Sequence, residues 1–369
     1  MIKVLHLING ATFGGISTML LNYYANMDRS KVHFDFVYSA EGAFGHDGEQ
    51  LKQLGAEFFY IRKKSDGLMN HIKQLDELIK RGHYDVIHVH SCHTSYIGLM
   101  VAWKNGIKIR FAHAHTAVKE KLSLKEAISR RTGIILMKIF ATKRLACSRD
   151  AAVYIFGKHS LQQKSMLIIP NAIETRKFRY NKDARMQIRE ELGIEASSFV
   201  VGTVGRMSEE KNQIFLIDIF EQLKKLVPES YLLLVGNGDK KSEIEKVVEE
   251  KGLTKSVIFT GNRADVYKIL SAMDVFVLPS LYEGSPVAGI EAGANGLPII
   301  MSDTITRELD FLEGAEYISL QSSAGKWANK IVQYKNKGRF CSSIDKMLEQ
   351  GYDIKKSARK MEKIYGSKN

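Results

Sequence analysis

Apolar residues follow two alternating rhythms along this chain. Short, nearly continuous apolar runs recur at Lys3–Ile8, Val32–Tyr38, Glu57–Ile61, Tyr84–His90, Lys108–Ala112, Arg144–Cys147 and Met166–Ile169. Between them, at 17–27, 48–54, 71–81, 97–105, 124–142 and 148–156, apolar residues mostly return every third or fourth position. The first rhythm reads as strands buried on both faces, the second as helices with one apolar stripe. Such alternation predicts a parallel sheet covered by helices, with binding loops at the strand C-termini. A second series starts at Phe199–Val204 and continues through Tyr231–Val235, Val257–Thr260 and Val275–Leu278, with helical patterns at 212–226, 242–251 and 265–272.

A chain of 369 residues has room for two such domains. The expected fold is α/β, with two facing Rossmann-like, doubly wound domains at residues 1–173 and 183–352. The polar stretch 174–182 reads as the linker. Residues 353–369 form a C-terminal segment carrying a basic amphipathic helix, Ile354–Tyr365.

Composition narrows the class. Cys92, Cys147 and Cys341 are far apart and odd in number, which argues against a disulfide framework or structural zinc and suits a reducing compartment. Met1 leads straight into the first strand without a signal-like segment, and Lys138 interrupts the most apolar helical run, 133–141. The expectation is a cytoplasmic protein. Its net charge of +13 is uneven: residues 1–170 carry 24 basic and 13 acidic residues, and residues 119–164 carry 11 and 3. That patch could face nucleic acid, anionic lipid or a phosphorylated substrate. No helix-turn-helix, zinc-finger or aromatic–basic sheet motif supports nucleic acid.

The chemistry concentrates in Leu278–Ile300. After the strand ending at Leu278, a polar turn carries Glu283 and Gly284. Ser285 then reads as helix N-cap and Pro286 as first helical residue, and the helix runs to about Asn295, ahead of Gly296 and Pro298. Glu291 falls roughly 9 Å below Ser285, so one ligand could span both carboxylates. The amides of Gly284 and Ser285, with the positive helix end and Val287 in its first turn, would form an anion site between them. The bland reading is a solvated helix with two surface carboxylates.

This turn resembles the E-x7-E motif of the retaining glycosyltransferases of family 4, which have the GT-B fold. The resemblance rests on Glu283-Gly-Ser-Pro286, Glu291-Ala and Gly296-Leu-Pro298. It implies that Glu283 lies against the donor sugar, that Glu291 accepts from the nucleotide ribose, and that the last helix crosses back onto the first domain. Gly205-Arg206, followed by Glu210-Lys211, resembles the family's G-R…E-K signature, whose cations hold the diphosphate. Chemically, an Arg–Lys pair with helix amides can neutralise that leaving group without a metal. The chain has no D-x-D, so no metal and no other cofactor is expected.

Weaker signals complete the donor site. Gly236-Asn237-Gly238 after a strand permits close backbone approach to a nucleotide. Phe259-Thr-Gly-Asn-Arg263 resembles the family's base-reading loop, with Arg263 near the diphosphate. Gly14-Gly15 resembles the family's glycine pair facing donor phosphate and acceptor, while the order of a dinucleotide fingerprint is absent. His113 matches the family's strand-end histidine facing the transferred sugar, and His115 is an acceptor-side candidate. The rival for that pair is zinc, strengthened by His88, His90 and His93 on the preceding strand end.

The expected activity is therefore transfer of a sugar, UDP-linked in preference, to a glycan or lipid-linked glycan in cell-surface polysaccharide synthesis. The basic patch would suit peripheral contact with an anionic inner membrane face. A sugar-nucleotide epimerase of the same architecture is the alternative, and a basic nucleic-acid-binding protein a remote one.

Overall fold

Both series of alternating strands and helices are present in a computed structural model of the chain, which describes residues 1–8, 15–39, 45–90, 96–115, 123–340 and 343–367. The chain divides into two units, Met1–Ile173 with Gly351–Asn369, and Glu174–Gln350. The second unit takes in residues 174–182, which composition marks as a linker, and the chain returns at Gly351 rather than 353.

The first unit holds strands β1 (Ile2–Ile8), β2 (Val32–Tyr38), β3 (Glu57–Tyr60), β4 (Val86–His90), β5 (Ile109–Ala114), β6 (Lys143–Ala146) and β7 (Met166–Ile168). All pair in parallel, in the order β3-β2-β1-β4-β5-β6-β7. Helices cover both faces, so each strand must be apolar on both sides. Val4, Phe34, Val86 and Phe111 fill the core on one face, and Leu5, Val37, Ile87 and Ala112 the core on the other.

The C-terminal helix, Ile354–Gly366, belongs to this first unit. Its apolar stripe of Ile354, Ala358, Met361 and Tyr365 is buried in the same core as Val4, Phe34 and Phe36. Asp353 caps it by accepting from the Lys356 amide, and the chain enters it through a bridge between Ile173 and Asp353. The Tyr365 ring stacks on Phe111 at 5.7 Å between centroids, and its hydroxyl lies 2.8 Å from Nδ1 of His88. The crossing-back expected by resemblance is thus a packing fact.

The second unit holds β8 (Phe199–Val204), β9 (Ser230–Val235), β10 (Val257–Gly261), β11 (Val275–Leu278), β12 (Ile299–Ser302) and β13 (Ala315–Ile318), all parallel, in the order β10-β9-β8-β11-β12-β13. Its first element is a helix at Lys182–Glu191, capped by the Asn181 side chain. Asp274 fixes that helix to the sheet. It accepts from Arg185 at 2.7 Å, from Arg189 at 2.8 Å and from the Val200 amide at 2.8 Å. The buried Arg189 guanidinium also donates to the carbonyls of Ala272, Glu195, Ala196 and Ser198. A charge so nearly enclosed is tolerated because its N–H groups are paired.

Tyr365→Ala removes a fully buried ring and is expected to lower the stability of the first unit by about 3–5 kcal/mol. Tyr365→Phe, which loses only the hydroxyl contact, is expected to cost roughly 1 kcal/mol. Calorimetric unfolding checks both, and equal effects of the two substitutions would show that the ring is not a packing element.

Candidate active site

In the second unit, strand order reverses between the neighbours β8 and β11, and the chains leaving that point diverge. The loops after both strands carry the predicted chemistry. A short 3₁₀ turn at Glu209–Lys211 follows β8 and ends on Asn212, a non-glycine residue in the left-handed region (φ 54°, ψ 41°). The Asn212 side chain donates to the Pro279 carbonyl at 3.1 Å, and the Leu281 amide donates to the Glu210 carbonyl at 2.8 Å. Two loops remote in sequence are stitched together.

At that seam Lys211 Nζ lies 2.9 Å from Glu283 Oε1, with side-chain exposures of 24% and 10%. The Ser280 hydroxyl donates to the same carboxylate oxygen at 2.8 Å. The structure therefore brings together the cation of one motif and the first glutamate of the other. Glu283 is also held through its backbone by a bridge to Ile305.

The helix after this turn is Val287–Ala294, and Pro286, not Ser285, is its N-cap. Pro286 has a ψ of 91°, outside the helical region, so helical geometry begins one residue later than expected. The Ser285 side chain makes no cap, and the leading amides are those of Val287, Ala288 and Gly289, in place of Gly284 and Ser285. Gly296 ends the helix with a φ of 77°.

Glu291 keeps a little solvent exposure, yet protein surrounds its carboxyl closely enough to push it up from 4.5 to about 8. Desolvation is the cause, opposed by the positive charge of Lys177. Lys177 was not anticipated: it lies in the polar stretch 174–182, whose fold the sequence pattern does not signal.

Arg206 is exposed and pairs with Asp239 at 3.1 Å. The loops carrying these two residues touch through backbone. A Cβ on Gly236 would sit 2.1 Å from the Gly205 carbonyl oxygen, and one on Gly238 2.1 Å from that of Met207. These glycines are thus required for loop-on-loop packing, with Asn237 accepting from the Met207 amide at 3.0 Å. Arg263 is held by Asp265 at 2.8 Å and by Glu191, beyond the end of outer strand β10 and two strands from the reversal. Its guanidinium is committed to these carboxylates.

In the first unit the reversal falls between β1 and β4. Gly14, Cys92 and His93 lie outside the described residues, and Gly15 opens the helix Gly15–Ala25. Parallel register sets His6 beside His88 and His90 beside His113. Strand β5 runs on to Ala114, two residues past the expected end, so His113 lies within it. His113 is 1% exposed, with its ring against those of His88, His90 and His115. Burial holds His6 and His115 down at about 3 and His88, His90 and His113 well below 6.5. His6 was missed in the sequence; its signal is an imidazole inside an otherwise apolar buried strand.

Residues 13–177 match the family described as Glycosyltransferase Family 4, and residues 184–360 match Glycosyl transferases group 1. The EpsF protein of Bacillus subtilis (strain 168) is 31% identical over 370 residues, spanning 98% of this chain and 96% of that one. The UDP-Gal:alpha-D-GlcNAc-diphosphoundecaprenol alpha-1,3-galactosyltransferase of Escherichia coli is 32% identical over 245 residues, 64% of this chain and 62% of the relative. The crystal structure of Anabaena Alr3699/HepE in complex with UDP superposes with a TM-score of 0.81 at 20% identity over 100% of both chains.

The raised Glu291 carboxyl has a stability signature. Between 4.5 and about 8 the folded chain retains a proton that the unfolded chain has released, so stability falls as pH rises through this window. Glu291→Gln is expected to flatten that fall and to raise the melting temperature at the alkaline end. Thermal unfolding of both proteins across the window checks this, and parallel curves would refute it.

Proposed function

The chain belongs to glycosyltransferase family 4 and has the GT-B fold, and on that premise we propose that it serves exopolysaccharide or capsule synthesis, transferring a sugar from a nucleoside diphosphate sugar with retention at the anomeric carbon. UDP is the favoured nucleotide and a glycan or lipid-linked glycan the acceptor. The observation that carries this reading is the Lys211–Glu283 pair at the strand-order reversal. The names of the Escherichia coli relative and of the HepE complex support the choice of UDP and of a lipid-linked acceptor.

In this mechanism the bond between the anomeric carbon and the diphosphate oxygen breaks while the acceptor oxygen attacks from the same face. The leaving phosphate oxygen takes the acceptor's proton. Negative charge grows on the diphosphate as the bond breaks, and Lys211, Arg206 and the amides of Val287, Ala288 and Gly289 stabilise it without a metal. Arg206 is free to move there because an exposed ion pair such as that with Asp239 is weak. Glu283, fixed by Lys211 and Ser280, orients the sugar hydroxyls. Glu291 accepts from the ribose.

We place the acceptor at an anionic membrane surface. No helix among the described residues is long and apolar enough to span a membrane. The helix Leu124–Phe140 instead carries Leu124, Ile128, Ile135 and Ile139 on one face, between 51% and 79% exposed. Their spacing confines them to a narrow stripe, with the exposed Arg131 and Lys138 beside it. Trp103, 58% exposed, lies beside Phe140 with the two rings tilted and their centroids 5.6 Å apart. An apolar stripe flanked by cations is the pattern of a helix lying in a lipid interface.

Calorimetry with UDP, GDP and ADP, with and without EDTA, is expected to show UDP binding that chelation leaves unchanged; no binding, or loss with EDTA, would overturn the donor assignment. Arg206→Ala is expected to slow transfer by on the order of 10²-fold, whereas Glu291→Ala should chiefly weaken nucleotide affinity. Full turnover in Arg206→Ala would remove that residue from the diphosphate.

Ile128→Asp combined with Ile135→Asp is expected to abolish co-sedimentation with phosphatidylglycerol vesicles. Retention by neutral vesicles to the same extent as by anionic ones would contradict the electrostatic part of the docking.

A further inference from the structure

Five buried or nearly buried histidines gather on one face of the first sheet; the resemblance sets His113 against the transferred sugar and His115 on the acceptor side, but gives the cluster as a whole no task. His88 Nδ1 lies 2.8 Å from the Tyr365 hydroxyl, and its Nε2 lies 3.2 Å from His113 Nδ1. His6 Nδ1 lies 2.8 Å from His90 Nε2, and His90 Nδ1 lies 3.0 Å from His115 Nε2. The Nε2 atoms of His6 and His113 are buried without a partner among the described residues.

One placement of protons leaves three lone pairs bare. His113 Nδ1–H donates to His88 Nε2, and His88 Nδ1–H donates to the tyrosine oxygen, so His113 Nε2 carries a lone pair. His90 Nε2–H donates to His6 Nδ1, leaving His90 Nδ1 bare opposite His115 Nε2. Two facing lone pairs repel unless a proton or a cation lies between them. A proton would settle that pair but leave His113 Nε2 an orphan, and an unsatisfied buried polar atom is costly. A single cation can engage all three.

We propose that His90, His113 and His115 bind a divalent transition-metal ion, zinc by the chemistry of the ligands, at the C-terminal ends of β4 and β5. One ligand nitrogen from each of these three residues lies within 4.8 Å of the others. A tetrahedral zinc with bonds of about 2.0–2.1 Å needs nitrogens about 3.4 Å apart, so the His90–His115 pair at 3.0 Å opens slightly and any wider separation closes. Three neutral imidazoles with no oxygen ligand exclude magnesium and calcium, which take oxygen. A second grouping, His6, His88 and His90, meets the same distance limit. It is the poorer one, because both nitrogens of His88 are engaged by Tyr365 and His113. His6, His88 and Tyr365 then form the outer layer that orients the ligating rings, as hydrogen-bond partners of metal-bound histidines do. Three protein ligands leave a fourth position for water or another oxygen.

The test is metal uptake by the full chain. Protein stripped with chelator and titrated with Zn²⁺ against a chromophoric competitor is expected to take up one equivalent. The Co²⁺-loaded protein should show a tetrahedral, nitrogen-ligated spectrum. His115→Gln, at a partly exposed position, and His113→Gln should each abolish stoichiometric uptake, and His88→Ala should weaken it by roughly 10–100-fold. Melting curves of the variants in EDTA identify any that fail to fold. Absence of uptake by the wild-type chain would overturn the proposal. So would uptake unchanged in a folded His115→Gln protein, or a spectrum showing sulfur ligands.

Discussion

A parallel sheet cannot bind a ligand equally well anywhere along its edge. Neighbouring strands that follow one another in sequence have the space at their C-terminal ends closed by the connection between them, so an opening appears only where chain order reverses. In the second unit that reversal lies between β8 and β11, and everything catalytic in the present reading descends from it. The Gly205–Asn212 loop and the turn at Glu283 are adjacent in space for this reason alone, although more than seventy residues separate them. The Lys211–Glu283 contact is what the topology makes possible there, and Asn212 and Leu281 are what hold it in register.

The two units handle most of their buried polarity differently. The second pairs most of its charges, Asp274 with two arginines, Glu283 with Lys211 and Arg263 with two carboxylates, although burial favours the neutral form of Glu291. The first encloses groups that can shed their charge, and burial keeps its five imidazoles neutral. Paired charges suit a site that must meet a highly anionic ligand. Neutral rings suit one that offers lone pairs.

Much of this was legible in the sequence because it depends on local period and chain order. The strand rhythm yields both sheets, and the G-R…E-K and E-x7-E motifs lead to residues that do meet in space. What was hidden depends on register or on contacts between loops. The pairing of His6 with His88 and of His90 with His113 follows from how strands align, which no single strand reveals. The role of Gly236 and Gly238 is set by loops whose approach is a tertiary fact. The helix Lys182–Glu191 was overlooked because it is strongly polar, and its anchor, Arg189 to Asp274, spans 85 positions. At the turn before Glu291 the reading was off by one residue, since a proline can stand either at the cap or inside it.

The C-terminal helix gives the molecule an order of assembly. Its Tyr365 reaches a partner 277 positions earlier, and its apolar stripe completes a core begun by the first strand. While the ribosome is still making the chain, the first unit leaves the tunnel with one wall of its interior missing. It waits through the synthesis of the whole second unit before the last turns of helix arrive to close it. Domains that emerge first usually finish folding first; here the first to appear is the last to be sealed. A prematurely terminated product would be left with an open hydrophobic face, a ready target for cellular quality control.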